Sequence, residues 1–427
     1  FGDLDRLPVC AIESAQGVWL QTPDGRRILD GIGSWWTSIH GHGHPRIVAA
    51  VREQVGRLDH VMFAGFTHAP AVELTEALLR AAPPGYGRAF FADCGSAAVE
   101  VALKLSFQAH RQRGEPQRTR FAALHNGYHG ETLGALSVSG TDAYRRIFAP
   151  LLVEPLYLPA PALPDHQTED LGRADAGTEG PQLDAAIEAL RAHADRLAAL
   201  VLEPLVQCAG RMRMTGVGFY RRLVQEAQRL GIHVIADEIA VAFGRTGRLF
   251  ASEHAGVTPD LLCLSKGLSG GVLPLAAVLV REGFEDDFRG EPARSFLHSH
   301  TFTANPVACA AGRASLAIFE EDGVLDRLPS RAEAMAEARR AVAQRCPAVR
   351  HHRQAGLIAA FEVAPRQGRS PADGRLGLAL REAALRRDVL LRPLHDTIYW
   401  MPSLHIEDQA LGRLADVTAE VIDEVLG

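Results

Sequence analysis

The sequence predicts an α/β fold. Three observations carry that prediction: short apolar runs closed by turn residues, amphipathic helical stretches between them, and the fall of each unusual motif at the end of a run. The runs "RAFFAD", "FAALHN", "AALVLEPL", "HVIADE" and "LLCLSK" read as buried parallel strands, because they are continuously apolar rather than alternating. "HPRIVAAVREQVGRL" and "GFYRRLVQEAQRLG" have apolar residues at helical spacing, and the second stops at Gly231 as a helix does at a C′ glycine. Strand, helix and strand repeated in this way place a ligand at the carboxyl ends of the strands. "PAPALPDHQTEDLGRADAGTEGPQ" reads as a surface loop. Beyond about residue 315 the helices "RAEAMAEARRAVAQRC" and "GLALREAALRRD" alternate with "LIAAFEV" and "TIYWMP", a second and smaller α/β unit. The strand-turn-strand "GVWLQTPDGRRILDG", with its Asp-Gly turn, is expected to join that unit. The predicted division is therefore 1–50 and 315–427 for the small domain and 51–314 for the large one.

Composition narrows the function. The 427 residues are 47% hydrophobic, enough for a sizeable core. The net charge of −6, with both signs interspersed, argues against nucleic acid and against anionic lipid as partners. The apolar runs are too short or too interrupted to span a bilayer, so a soluble, cytoplasmic protein is expected. The six cysteines are scattered without a C-x-x-C pair, which indicates neither a disulfide framework nor a zinc site. Because the chain starts at Phe1, a native segment is expected to precede it.

The chemistry concentrates in three places. "CLSKGLSGG" carries Lys266 out of an apolar run into a glycine-rich turn, and a desolvated lysine amine is a good Schiff-base former. "IADE" ends another apolar run with Asp237, a carboxylate costly to bury unless a cation or donor meets it. A protonated pyridine nitrogen serves, and a lysine Schiff base with an aspartate opposite a pyridinium is the pair that pyridoxal 5'-phosphate requires. "DCGSAAVEVALKLS" supplies a phosphate cup, with Gly95 for close backbone approach, the Ser96 hydroxyl and a helix N-terminus. Each feature alone has an ordinary explanation, as a solvated turn lysine or a helix cap. Their conjunction at successive strand ends of one sheet points to the cofactor. His40, His42 and His44, like His298 and His300, lack a completing carboxylate or cysteine, so no metal site is expected.

"NGYHGET", "LEPLVQCAGRMRM", "ADEIAVAFGRTGRLFASEHAGVTPDLLCLSKGLSGG" and "HTFTANPVACAA" resemble the class III, ornithine-type aminotransferases over essentially the whole chain. The resemblance implies fold-type I, the aspartate-aminotransferase-like architecture: a large domain on a mixed, mostly parallel seven-stranded sheet plus a smaller α/β domain. It implies a homodimer with shared active sites. Lys266 would form the Schiff base and shuttle the proton, Asp237 would pair with the ring nitrogen, and Ile239 and Tyr128 would flank the ring. Gly95 and Ser96 would bind phosphate. Thr301 would reach the partner subunit's phosphate, with Ser299 and His300 beside it. "GSWWTSIHGHGHP" and "DHVMFAGFTHAP" narrow the resemblance to the branch that aminates 8-amino-7-oxononanoate with S-adenosylmethionine in biotin biosynthesis. There Trp35 and Trp36 would wall an apolar channel, Arg392 would clamp a carboxylate, and Tyr399 would line the same pocket.

A nine-carbon amino-keto acid is mostly methylene with one carboxylate, which suits an apolar slot with a cation at its mouth. Read as strand neighbours, the two tryptophans point to opposite faces, and Trp35 is the expected wall residue. The pattern also departs from the family. Ala240 stands where many members have a Gln on the ring hydroxyl, and Ser299-His300-Thr301 replaces the Gly-Pro-Thr of some diaminononanoate-forming enzymes. The substrate-contacting tyrosine near the family's N-terminus has no counterpart in "FGDLDRLPVC". Lysine as donor, and a broad ω-amino acid:pyruvate specificity, therefore stay open. No G-x-G-x-x-G opens a helix after a strand, against a nicotinamide enzyme.

Overall fold

In the computed structural model, which describes residues 9–161, 180–364 and 375–427, the chain opens with three short antiparallel strands, β1 (Ser14–Gln16), β2 (Trp19–Gln21) and β3 (Arg27–Asp30). Most of the expected "PAPALPDHQTEDLGRADAGTEGPQ" loop lies outside the described residues. The main sheet comes next, with β4 (Tyr86–Ala92), β5 (Arg120–Leu124), β6 (Leu156–Leu158) and β7 (Leu197–Leu202). A two-residue ribbon, β8 (Val206–Gln207) and β9 (Arg213–Met214), precedes β10 (His233–Asp237), β11 (Leu261–Leu264) and β12 (Ala276–Arg281). The C-terminal part adds β13 (Val349–Ala355), β14 (Ile358–Val363), β15 (Val389–Leu390) and β16 (Thr397–Trp400).

The seven-stranded sheet has the order β4-β12-β11-β10-β7-β5-β6. Pairing is parallel from β11 through β6, while β12 runs antiparallel to both of its neighbours. Every residue of β7, β10 and β11 is buried, as continuous apolar runs covered on both faces must be. Alternation within the strands feeds two cores. Ala199, Val201 and Ile235 pack with Ala98, Val99 and Leu105 of the helix Gly95–Gln112. Leu200, Leu202 and Val234 pack with Leu183 and Ile187 of Pro181–Ala192 and Leu223 and Val224 of Val217–Arg229. That last helix ends as expected: Gly231, at φ +69°, donates its N–H to Gln228 O at 3.0 Å.

β13, β14 and β16 form a separate antiparallel sheet. β15 instead pairs in parallel with β3, Val389 facing Leu29 and Leu390 facing Asp30, so a strand from residue 27 onward is hydrogen-bonded to one from the far end of the chain. That pairing brings the exits of the two strands side by side: the double tryptophan after β3 and Arg392 after β15. Among the described residues no helix is long and apolar enough to cross a membrane, and no cluster of His, Cys, Asp or Glu is arranged to hold a metal ion.

Candidate active site

Five main-sheet strands are apolar in the residues leading to their carboxyl ends, and side chains at or just past those ends converge. Asp237 closes β10, Lys266 comes after β11, Glu203 after β7, Tyr128 and His129 after β5, and Gly95 and Ser96 after β4. All of them line one cavity of about 470 Å³, together with Trp36, Ile239 and Ala240.

Lys266 stands at φ +39°, its Nζ 5.0 Å from the centre of the Trp36 ring. Burial pulls its ammonium below the ordinary lysine pKa, against the opposing pull of Asp237, Cys208 and Glu203. The amine is thus easier to free of its proton than a solvated lysine. Asp237 is 4% exposed and has both oxygens occupied: Ile239 N–H donates to Oδ1 at 3.1 Å and His129 Nδ1 to Oδ2 at 2.7 Å. Because the carboxylate can only accept, Nδ1 of His129 carries the proton; its Nε2 is buried without a protein partner.

The helix Gly95–Gln112 begins at Cys94 with no side-chain cap and no acidic residue in its first turn, leaving its N-terminal N–H groups for an anion. A Cβ on Gly95 would lie 2.9 Å from Ile239 Cδ1, so the bare backbone keeps this corner open. Ser96 Oγ accepts the Glu131 N–H at 3.1 Å and keeps its own proton to donate. Tyr128 is held from two sides, its N–H donating to Glu203 Oε1 at 3.0 Å and its hydroxyl to Glu131 Oε1 at 2.9 Å. A cation, a facing carboxylate, an anion cup and two ring walls in one cavity fit pyridoxal phosphate.

Two groups here were not singled out from the sequence. Glu203 accepts from Tyr128 N and, at 2.9 Å, from Cys208 N, while burial pushes its carboxyl up to about 7. His129 fixes Asp237. Glu203 carries the same signal that marked Asp237, a carboxylate ending an unbroken apolar run; His129 has none beyond adjacency to Tyr128.

The tryptophan pair departs from the strand expectation. Residues 33–36 form a left-handed turn, with φ +54°, +45°, +70° and +76° at Gly33, Ser34, Trp35 and Trp36, so strand alternation does not govern their side chains. Trp36, not Trp35, lines the cavity, and is 4% exposed. Trp35 is 54% exposed and lies under the Arg392 guanidinium, 3.9 Å from ring centre to Cζ. Tyr399 does not line the cavity; it is buried behind Trp36, whose Nε1–H donates to its hydroxyl at 3.1 Å. Ser299, His300 and Thr301 also lie outside the cavity of their own chain. Ser299 and Thr301 are exposed, and His300 Nδ1 sits 2.9 Å from Asp93 Oδ2.

Comparison with known proteins gives matches along the whole chain. The profile of the family "Aminotransferase class-III" matches residues 3–422. The adenosylmethionine-8-amino-7-oxononanoate aminotransferase of Nitratidesulfovibrio vulgaris is 43% identical over 95% of this chain and 75% of its own length. That of Geobacter sulfurreducens is 39% identical over 98% and 93%. Among solved structures, the enzyme of the same name from Methanocaldococcus jannaschii superposes with a TM-score of 0.91 at 28% identity, covering 98% of this chain and 94% of that one. A PLP-bound amine transaminase from an uncultivated Pseudomonas species gives 0.89 at 29% identity, covering 99% and 96%.

Proposed function

This chain belongs to the class III aminotransferases, and on that premise we propose that it converts 8-amino-7-oxononanoate to 7,8-diaminononanoate in biotin biosynthesis, with S-adenosylmethionine as amino donor. The observation that carries the reading is the cavity itself, where Lys266 and Asp237 face one space under the apolar wall of Trp36. Its support from relatives is the name shared by the two compared above, 43% and 39% identical to this chain.

When bound, pyridoxal phosphate supplies the electron sink that stabilises a carbanion at the donor carbon. The residues divide the remaining work. Gly95, Ser96 and the uncapped N–H groups take the phosphate, and Tyr128 and Ile239 flank the ring. Asp237, held in place by Ile239 N–H and His129, would face the ring nitrogen. Lys266 Nζ, with its lowered pKa, acts as nucleophile and then carries the proton to and from the substrate carbon. The order is ping-pong: donor in and deaminated product out, then acceptor in and diamine out. Arg392, its guanidinium plane set by Trp35, receives the acceptor carboxylate.

A homodimer completes the site. Ser299, His300 and Thr301, outside their own cavity, reach the partner's, with Thr301 at its phosphate. The chain runs 59–62 and 302–305 lie together, Asn305 Nδ2 donating to Asp59 O at 3.1 Å, and this region exposes Met62 and Phe302. Lysine as donor is the second reading, favoured by Ser299-His300 in place of Gly-Pro beside the expected donor site.

The visible spectrum of the cofactor-loaded protein tests this. S-adenosylmethionine added alone should discharge the Schiff-base band of the bound cofactor, and 8-amino-7-oxononanoate should restore it. Discharge by lysine alone moves the donor assignment. Discharge by alanine alone moves the whole substrate assignment, and no discharge by any of the three overturns transamination by Lys266.

A further inference from the structure

The double tryptophan sits on backbone that resists its own conformation. Gly33 through Trp36 form one left-handed turn, closed by Trp36 N–H to Ile32 O and Thr37 N–H to Gly33 O, both at 2.9 Å. Three of its four residues carry side chains, and each is disfavoured there by about 5- to 30-fold relative to the right-handed form. Something local must hold the turn. Gly33 is needed at its start, since a Cβ there would meet Arg245 Nη2 and Met401 O at 3.0 Å.

The holding group is Asp30, the last residue of β3, 1% exposed. Its Oδ1 accepts the Ile32 N–H at 3.2 Å. Its Oδ2 accepts the Ser34 hydroxyl at 2.8 Å and His42 Nε2 at 2.9 Å. Three donors thus converge on one buried carboxylate, two of them from residues that enter or lie within the turn. Burial pushes the Asp30 carboxyl up, but the bonds from His42 and Ser34 outweigh it and leave the group below the ordinary aspartate value. At the turn's other end, the buried Arg245 guanidinium donates to Trp36 O at 3.2 Å and to Pro402 O.

The turn gives two neighbouring side chains separate tasks. On a strand they would diverge to opposite faces. Here Trp36 reaches the Lys266 cavity while Trp35 lies under Arg392, which the β3–β15 pairing has brought alongside. We propose that Asp30 is a positioning residue of this active site: its carboxylate fastens the left-handed turn that aims Trp36 at Lys266 and Trp35 at Arg392. Asp30 touches neither cavity nor reacting atoms, and acts through the turn.

The inference rests on the reading of the cavity as a pyridoxal phosphate site, and its test uses the cofactor-loaded protein. Energy transfer from tryptophan to the bound cofactor is measured in the parent and in Trp36→Phe, the difference being the part owed to Trp36. Asp30→Asn keeps the shape of the side chain and removes the charge. It should lose at least about half of the Trp36-dependent transfer and raise KM for 8-amino-7-oxononanoate by roughly tenfold, with a smaller change in kcat. Adding Ser34→Gly, which lifts the left-handed penalty at that residue, should restore part of both. If Asp30→Asn does not fold, Ser34→Ala carries the test by removing one donor, with a smaller loss of transfer in the same direction. Unchanged transfer and KM in the variant that folds overturn the proposal alone. A parent protein with no cofactor band overturns the site reading and this inference with it.

Discussion

Asp237 shows how far a single residue can be read. Its place at the end of "HVIAD" marks it as a buried charge needing a partner, and the structure gives it two donors and a cavity on its open side. Asp237→Asn should retain the cofactor yet slow turnover by about 10²- to 10³-fold, the scale of losing one preorganised electrostatic group, which single-turnover kinetics will read. Glu203 obeys the same rule, but its chemistry is structural: it ties Tyr128 and Cys208 to the end of β7. Its folded pKa, about 7, lies above the ordinary 4.5, so the folded state holds this proton more tightly than the unfolded chain. The stabilisation from that is full below about pH 4.5 and is lost as pH rises through about 7, up to about 3 kcal/mol. Stripped of cofactor, Glu203→Gln should lose less stability than the parent between pH 5 and pH 8, which a calorimetric pH series on the two proteins will read. The tryptophans were not legible. Nothing in "GSWW" except the leading glycine announces a left-handed turn, since the bonds that hold it come from Asp30, before it, and Arg245, far along the chain.

At the scale of elements, the sequence carried more. Continuous apolar runs located β4, β5, β7, β10 and β11, and helical periodicity located Pro45–Arg57 and Val217–Arg229. Strand direction was not readable in "LPLAAVLV": burial on both faces looks the same whichever way a strand runs, and only the connection fixes β12 as antiparallel. The helix Gly95–Gln112 shows what an element adds beyond its residues, an open N-terminus aimed at the cavity. Gly95→Ala tests it. The new methyl would lie 2.9 Å from Ile239 Cδ1 and 3.1 Å from Cγ2, so that side chain must shift, and stability without cofactor should fall by about 1–3 kcal/mol with the fold kept. Cofactor affinity should nonetheless fall, by roughly tenfold in an equilibrium titration, because the methyl and the displaced Ile239 narrow the phosphate corner.

For the whole molecule, the exposed apolar side chains Leu297 (85%) and Phe302 (58%) flank the Ser299-His300-Thr301 segment. Buried against a second copy, they would carry that segment into the partner's cavity. Leu297→Asp with Phe302→Asp should yield monomers in sedimentation equilibrium and abolish turnover while leaving the monomer's circular dichroism intact. An unchanged dimer with full activity would place the contact elsewhere.

The one main-sheet strand that runs against its neighbours, β12, also orders assembly in time. β4 has a single neighbour in its sheet, β12, with Phe90 opposite Val278. During synthesis from the N-terminus, the strand that leads into Gly95 and Ser96 waits unpaired until β12 has left the ribosome, after Asp237 and Lys266. Within one chain, the anion cup is thus anchored only after the strand ends that carry Glu203, Asp237 and Lys266 have been made.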